Sequence, residues 1–128
     1  MNQNDVKIFM EAGEQYTQRE PSLFTSEENT KAVELYLKLI AEEYKELLEG
    51  IDEKNVVKVA DGCGDLIWVI LGLCNSAGIN MNAVWYEITR SNMSKLVDGK
   101  LVKREDGKIL KPDTYVPPNI AKALGLGE

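Results

Sequence analysis

The sequence predicts an all-α domain built on a four-helix-bundle core, and three observations support this prediction. Apolar residues recur at helical spacing over long segments, residues that favour helix N-caps precede those segments, and glycines follow them. The chain has 128 residues, a length that predicts a single domain over residues 1–128. A chain of this size can bury a core without needing disulfides or a metal.

The first half of the chain predicts two helices joined by a link that contains Pro21. A short amphipathic helix is expected over residues 5–16. Ser26 is a good N-cap for a long helix over residues 27–49, which Gly50 should end. The spacing of its apolar residues predicts one core-facing side: Val33, Tyr36, Leu37, Ile40, Tyr44, Leu47, Leu48 and Ile51.

The second half predicts two more long helices and a short last one. Residues 53–77, capped by Asp52 and ended by Gly78, become apolar all round at LIWVILGLC, so this helix should be contacted on every side. A fourth helix is expected over residues 80–96. Two Asp-Gly pairs then predict a small hairpin or folded loop, before a terminal helix over residues 119–124.

Composition excludes several classes of function. The chain has no histidine, which removes histidine-dependent nucleophilic catalysis and leaves oxygen as the ligand for any metal. The net charge of −6 disfavours nucleic-acid binding. Cys63 and Cys74 lie about 16 Å apart on one predicted helix, too far for a disulfide. Because the start of the chain has no apolar signal segment and the run 66–74 is too short to cross a membrane, we expect a cytoplasmic protein.

Glutamates on the second predicted helix are the first candidate site residues. Glu43 and Glu46 lie on a helical strip that is otherwise partly apolar, since it also carries Leu35 and Leu39. Glu42 lies at the outer edge of that strip. A solvated helix face is the ordinary interpretation of such glutamates, but the apolar neighbours favour a packing partner.

Two aspartates on the third predicted helix are stronger candidates. Asp61 and Asp65 stack four residues apart in the most apolar helix, where like charges repel and lose hydration. Something positive must offset this cost. It is either a lysine (Lys45, Lys54 or Lys58) or a divalent cation in an oxygen cage. Because two consecutive helices supply four carboxylates, we expect Mg²⁺, or Mn²⁺ in its place, at Glu43, Glu46, Asp61 and Asp65.

A polar pair on the fourth predicted helix indicates an anion contact. Asn92 and Lys95 continue the face of Met81, Trp85 and Ile88, which should point inward. The partner of these polar groups is a carboxylate or a phosphate, and the sequence alone does not favour either. Basic residues between positions 100 and 111 could add to an anion site, although most of them are expected to be solvated.

Four blocks of the sequence resemble the all-α nucleotide pyrophosphohydrolases. More narrowly, they are similar to the MazG-like branch related to phosphoribosyl-ATP pyrophosphohydrolases. The blocks occur in the family's order over roughly residues 4–120: EEYKEL (42–47), DGCGDLIWVILG (61–72), RSNMSKL (90–96) and REDGKILKPDTYVPP (104–118). The SNMSK block followed by EDGKILK is the most specific part.

The resemblance implies Mg²⁺-dependent hydrolysis of a nucleoside triphosphate to monophosphate and pyrophosphate by a homo-oligomer, a dimer or a tetramer. It implies metal binding by Glu43, Glu46 and Asp65. Many MazG-type members have a glutamate three residues before that aspartate, where this chain has Gly62 and carries its acid one position earlier. Glu42 or Glu46 is expected to orient or deprotonate the attacking water. The expected substrate-side residues are Asn92, Lys95, Lys111 and Tyr115.

The substrate is open between alternatives. A deoxynucleotide or modified triphosphate is expected for a free-standing domain of this size, and phosphoribosyl-ATP in histidine biosynthesis is the enzymatic alternative. A third possibility is a non-catalytic helical oligomer that binds nucleotide or metal, which would release no pyrophosphate. We expect neither nucleic acid nor a membrane as a partner.

Overall fold

The computed structural model describes residues 2–127 and contains five α-helices and no β-strand in that range. These are α1 (Gln3–Ala12), α2 (Glu27–Asp52), α3 (Val56–Ala77), α4 (Met81–Met93) and α5 (Ile120–Ala123). The all-α prediction is confirmed, as is the order of four longer helices and a short last one. The chain forms two compact units, Met1–Ile79 and Asn80–Glu128. A single domain over residues 1–128 stays a prediction.

The first unit is organised by α2 and α3, which pack against each other along their lengths, and α1 packs on α3. The side of α2 that faces α3 follows alternating steps of three and four residues, the spacing of a helix–helix seam. This seam consists of Val33, Tyr36, Ile40, Glu43, Leu47 and Gly50, all of them buried or half-buried. One of the candidate glutamates therefore lies inside the α2–α3 seam.

Glycines of α3 set how α2 and α3 face each other. A Cβ built at Gly62 would lie 3.2 Å from the Leu47 Cα, and Gly72 lies directly against the ring of Tyr36. Because glycine has no side chain, the two helices approach closely at both points. The two contacts fix an antiparallel register in which Glu43 lies level with Asp65.

Two predictions about burial are wrong. Half of the predicted core side of α2 is about half exposed, because α3 covers the neighbouring face; these residues are Leu37, Tyr44, Leu48 and Ile51. The third helix is also not contacted on every side within the chain. In its apolar run 66–74, three large residues are each more than one-third exposed: Ile67, Trp68 and Ile70.

The predicted ends of α2 and α3 are partly correct. The Ser26 side chain caps α2 by accepting from the Asn29 amide at 3.0 Å, and Gly78 ends α3 with a left-handed φ of 73°, as predicted. Gly50 does not end α2, since it lies in the seam against Val59 and the helix continues through it. Asn55 rather than the predicted Asp52 caps α3.

The ends of α1 and α4 were placed too far along the chain. The first helix stops at Ala12, where Gly13 caps it, rather than near residue 16. The fourth stops at Met93, and Ser94 forms its C-cap. The terminal helix is confirmed but shorter than predicted.

The second unit contains α4, α5 and the folded loop between them, and α4 contacts α5. Asp98 and Gly99 both have positive φ, 51° and 76°, the pattern of a type I′ turn. The loop has two isolated bridges, between Val97 and Lys100 and between Lys103 and Ile109. Of the two predicted alternatives, a small hairpin or a folded loop, the structure shows the folded loop. Within residues 2–127 no helix is long and apolar enough to cross a membrane.

Candidate active site

Four carboxylates from α2 and α3 come together in the first unit. Glu43 and Asp65 are half-buried at the seam, while Glu46 and Asp61 are exposed beside them. Burial raises the pKa of Glu43 above its ordinary value, and the charges of Asp65, Glu46 and Asp61 raise that pKa further. The structure therefore places the four predicted residues close enough for their charges to interact. We refer to them as the acidic cluster.

Asp65 shows the same pattern as Glu43. Burial raises its pKa, and the negative charges of Asp61 and Glu46 add to that effect. Both shifts have the same physical meaning, because the ionised carboxylates lose hydration and face like charges. Glu42 is exposed and does not contribute to either shift.

No lysine forms an ion pair with a carboxylate of the acidic cluster within residues 2–127. The ammonium group of Lys58 pairs instead with Glu53 at 2.6 Å and with Glu49 at 3.8 Å. Lys45 and Lys54, the other two candidate lysines, form no ion pair in the described part of the chain. The hydrogen bond to Glu53 raises the pKa of Lys58 most, and the charges of Glu49 and Glu46 add to that effect, so Lys58 offsets part of the negative charge of the acidic cluster without pairing with it.

One oxygen of the acidic cluster has no partner. Oε2 of Glu43 is buried and makes no hydrogen bond to any described residue. A buried acceptor without a partner costs about 1–3 kcal/mol, and more when it is charged. This orphaned oxygen, in a cluster whose carboxylates form no ion pair among the described residues, is the observation that fits a cation best.

The acidic cluster fits a hard divalent cation by its chemistry. Its ligands would all be carboxylate oxygens, which Mg²⁺ and Mn²⁺ prefer. Among residues 2–127, however, no three acidic or cysteine side chains converge into a ready-made metal-binding group. The carboxylates are neighbours that repel one another, and a bound cation would have to draw their oxygens closer together.

The four predicted substrate-side residues come together in the second unit. Lys95 donates from Nζ to Oδ1 of Asn92 at 3.1 Å, and the same Nζ lies 5.6 Å from the centre of the Tyr115 ring. Nζ of Lys111 lies 5.1 Å from the centre of that ring. We call these four residues the lysine–tyrosine cluster.

The two lysines of this cluster have no carboxylate partner among the described residues. The face of an aromatic ring attracts an ammonium group, but it leaves the positive charge uncompensated. Two such charges on one ring repel each other, and a phosphate group is an anion that lysine commonly binds. The geometry therefore suits an anion.

The helical face on which Asn92 and Lys95 were predicted does not point inward. Trp85 is 62% exposed, and Asn92 is exposed as well. The buried residues of α4 are Ser91 and Val84, and Val84 belongs to the predicted apolar face. Asn92 and Lys95 are neighbours, as predicted, but Asn92 is exposed and Lys95 is only half-buried.

Sequence reasoning missed Ser94, which holds the lysine–tyrosine cluster together. Its Oγ accepts from the Val116 amide at 2.8 Å and donates to the Ser91 carbonyl at 2.6 Å. Its own carbonyl accepts from Oγ1 of Thr114 at 3.0 Å. The available signal was a serine at the end of a helix inside the SNMSK block, a position where a hydroxyl can bond backbone groups.

A groove of about 1130 Å³ also lies in the second unit, between α4 and the segment 116–123. Glu87 in its wall pairs with Arg90 and accepts from the Asn119 amide at 2.8 Å. These bonds lower the pKa of Glu87 to about 2, with the Arg90 hydrogen bond as the largest cause. Since the Glu87 carboxylate is already hydrogen-bonded, we assign it a structural role.

The all-α fold and the acidic cluster define a class of protein, the MazG-like all-α nucleoside triphosphate pyrophosphohydrolases. A family model described as Phosphoribosyl-ATP pyrophosphohydrolase matches residues 6–92, more than half of the chain. The chain belongs to this family, whose members are hydrolases acting on phosphoric anhydrides. The matched range includes the acidic cluster and Asn92, whereas Lys95, Lys111 and Tyr115 lie beyond it.

A curated relative is the Uncharacterized protein L479 of Acanthamoeba polyphaga mimivirus, which is 39% identical over 56 residues. The match covers 44% of this chain and 22% of the viral protein. The chain thus corresponds to less than a quarter of that relative's length.

Proposed function

We propose that the chain hydrolyses a nucleoside triphosphate, a deoxynucleotide or modified nucleotide, to a monophosphate and pyrophosphate, with Mg²⁺ as cofactor. The unpartnered Oε2 of Glu43, inside a cluster of carboxylates that form no ion pair with the described residues, is the observation on which this proposal rests. Family membership supports pyrophosphohydrolase chemistry in general. The identity of the substrate, the metal and the roles of individual residues belong to this proposal.

The acidic cluster would hold the cation through oxygens of Glu43, Glu46, Asp61 and Asp65. When bound, Mg²⁺ supplies Lewis-acid stabilisation of negative charge on phosphate oxygens. Glu46 and Glu42 are exposed, so either carboxylate is accessible to orient a water molecule or accept its proton. Direct attack by water on phosphorus needs no covalent intermediate, which suits a chain without histidine.

The lysine–tyrosine cluster would bind phosphate oxygens of the nucleotide. Lys95 and Lys111 supply positive charge, and Asn92 supplies an amide that can donate to an oxygen. Both ammonium groups lie over the Tyr115 ring, with Nζ of Lys95 at 5.6 Å and Nζ of Lys111 at 5.1 Å from its centre. Positioning and charge stabilisation are the main contributions a protein makes to phosphoryl transfer.

The test is a screen of nucleoside triphosphates, with phosphoribosyl-ATP included, that measures pyrophosphate release in the presence of Mg²⁺. We expect release from at least one substrate by the wild type and its loss in Glu43→Gln. Glu34→Gln is the matched control, because it removes one exposed acid of α2 outside the acidic cluster. Full activity of Glu43→Gln would contradict the proposed role of the acidic cluster.

Phosphoribosyl-ATP is the second candidate substrate, and the family description favours it. A preference for phosphoribosyl-ATP over every nucleoside triphosphate would place the chain in histidine biosynthesis. Nucleotide binding without pyrophosphate release would instead indicate a non-catalytic binding module.

We also propose that the protein is a cytoplasmic homo-oligomer, a dimer or a tetramer. The exposed side of α2 carries apolar residues at steps of seven, four and three: Leu37, Tyr44, Leu48 and Ile51. Such a stripe matches the pattern by which one helix packs on another, and a second copy would cover it. Light scattering should give more than one chain per particle, and Leu48→Lys should lower that number. A monomeric wild type would contradict the proposal.

A further inference from the structure

Ser94 closes the folded loop of the second unit on the side of the lysine–tyrosine cluster. Ser94 follows the last residue of α4 and accepts two hydrogen bonds from the segment that returns to the helix. Its Oγ accepts from the Val116 amide at 2.8 Å, and its carbonyl accepts from Oγ1 of Thr114 at 3.0 Å. A second bond from Oγ to the Ser91 carbonyl, at 2.6 Å, fixes the rotamer of Ser94 against the last turn of the helix. The roughly twenty residues between Ser94 and Thr114 therefore form a loop whose two ends are joined at Ser94.

The groups that Ser94 holds are next to the lysine–tyrosine cluster in the chain. Lys95 follows Ser94 directly, and Tyr115 lies between the two residues that Ser94 bonds. The Tyr115 amide donates to the Pro112 carbonyl at 3.0 Å, and this turn brings Lys111 back over the ring. Closing the loop at Ser94 therefore places Lys95, Tyr115 and Lys111 together.

The bonds at Ser94 are the ones nearest to the two lysines, since the other bonds between α4 and the returning segment join Arg90 to the Pro117 carbonyl at 3.4 Å and the Asn119 amide to Glu87 at 2.8 Å. The two lysines repel each other, neither has a carboxylate partner within residues 2–127, and the loop between them is exposed. Bringing two like charges together costs free energy, which the Tyr115 ring offsets in part and a bound anion would offset further. The closure therefore prepares the loop for a group with several negative charges.

We infer that Ser94 is a positioning residue, which closes the loop so that Lys95 and Lys111 act jointly on one polyanionic phosphate group. The inference rests on the proposed phosphate role of the two lysines, and it adds the residue that makes them one subsite. Ser94 itself need not touch the ligand. Its effect is to lower the cost of ordering two flexible side chains and a loop when the anion binds.

The experiment titrates inorganic pyrophosphate into the full chain at fixed salt by calorimetry. Amide hydrogen exchange at Val116 is measured in parallel as a direct report on the loop closure. Ser94→Ala should weaken pyrophosphate binding by about tenfold, the loss expected for one charge-assisted contact. It should also speed exchange at Val116, whereas Ser94→Thr, which keeps the hydroxyl, should restore both.

A double-variant cycle separates positioning from mere folding. If Ser94 acts through Lys111, adding Ser94→Ala to Lys111→Ala should weaken binding little further, because the two changes remove one interaction. Thr114→Val, which removes only the Thr114–Ser94 bond, gives a milder opening of the same loop should Ser94→Ala fold poorly. Lys103→Ala is the matched charge control, since it removes a loop lysine away from Tyr115.

Each outcome decides between the inference and its alternatives. Faster exchange at Val116 with unchanged pyrophosphate affinity would overturn the positioning role, as would fully additive losses in the double variant. If Lys95→Ala and Lys111→Ala both bind pyrophosphate like the wild type, the proposed phosphate role fails and the inference fails with it. If the lysine variants weaken binding but Ser94→Ala does not, only the inference fails.

Discussion

Leu47 of α2 packs against Gly62 of α3 so closely that a Cβ at position 62 would lie 3.2 Å from the Leu47 Cα. Position 62 is also where the resemblance to MazG-type proteins leads one to expect a glutamate. Any side chain at this position would require Leu47 to shift by a few tenths of an ångström. The acid one position earlier, Asp61, is rotated by about 100° around the helix and reaches solvent at the edge of the seam.

Glycines of α3 should respond to alanine in opposite directions. Gly72→Ala would place a Cβ inside the ring of Tyr36, which is buried, so we expect destabilisation of about 1–3 kcal/mol despite the better helix propensity of alanine. At Gly64 a Cβ would meet nothing within 4 Å. Gly64→Ala should therefore stabilise the chain by up to about 1 kcal/mol.

Urea unfolding of both variants checks this prediction. Equal effects of the two substitutions would mean that helix propensity dominates and that α2 and α3 do not make the close contact at Tyr36. The comparison is well matched, because both glycines are interior positions of the same helix.

Glu43→Gln should stabilise the protein when no divalent cation is present. The substitution removes one of several like charges and replaces a buried charged oxygen by a neutral amide, which is cheaper to bury. We expect the melting temperature in chelator to rise by a few degrees. Mg²⁺ should raise the melting temperature of the wild type and should raise that of Glu43→Gln much less, because one ligand is lost.

Glu42→Gln provides the control for this prediction. Glu42 is exposed and outside the acidic cluster, so the substitution should leave both the melting temperature in chelator and the Mg²⁺ effect nearly unchanged. If it nevertheless lowers turnover, Glu42 acts on the water and not on the metal. A Mg²⁺ effect of wild-type size in Glu43→Gln would remove Glu43 from the ligands.

Sequence reasoning predicted the acidic cluster because helical periodicity specifies which residues share a face. Glu43 falls at the spacing of the seam, and Asp61 and Asp65 stack on one side of α3. It could not predict which apolar side of α2 would be covered, because Leu37, Tyr44, Leu48 and Ile51 have the same periodicity as the buried residues. The close contacts of Gly72 with Tyr36 and of Gly62 with Leu47 determine which side of α2 is covered by α3. Such contacts depend on both helices and cannot be inferred from the periodicity of α2 alone.

The lysine–tyrosine cluster shows a different limit. Lys111 and Tyr115 follow a loop whose path depends on backbone hydrogen bonds to Ser94, and periodicity carries no information about such bonds. Only the resemblance to a family connected these residues with Asn92 and Lys95. The structure supplies the physical link, which is the shared aromatic ring.

Tyr115 should contribute to pyrophosphate binding through its ring and not through its hydroxyl. The contacts of Lys95 and Lys111 are with the ring face, which phenylalanine also offers. Tyr115→Phe should therefore keep the affinity for pyrophosphate within about twofold, while Tyr115→Ala should weaken it by roughly three- to tenfold. Calorimetric titration measures both values.

The dependence of this binding on salt gives an independent check. Because the anion is bound by charge, raising the ionic strength should weaken pyrophosphate binding in the wild type and in Tyr115→Phe alike. If Tyr115→Phe loses as much affinity as Tyr115→Ala, the hydroxyl contacts the ligand directly and the ring is not the main contributor.

Glu87 makes a testable contribution to stability at acid pH. Its pKa is lowered from 4.5 to about 2, first by the hydrogen bond from Arg90 and then by the Asn119 amide. A carboxyl group whose pKa is lower in the folded chain binds its proton more weakly there than in the unfolded chain. Its contribution to stability is therefore complete above pH 4.5 and is lost as the pH falls toward about 2.

Glu87→Gln should consequently be less stable than the wild type at pH 7, and the difference should shrink between pH 4.5 and 2. Unfolding free energies of both proteins, measured in urea across this range, test the prediction. Subtracting the two curves cancels the contributions of the other acidic groups, including Glu43 and Asp65, whose raised pKa values act in the opposite direction.

Glu105→Gln is the control, because Glu105 is an exposed acid of the loop without an ion pair among the described residues. Its stability should equal that of the wild type across the same pH range. A constant gap between wild type and Glu87→Gln down to pH 2 would show that Glu87 stabilises the unit by packing rather than by its charge.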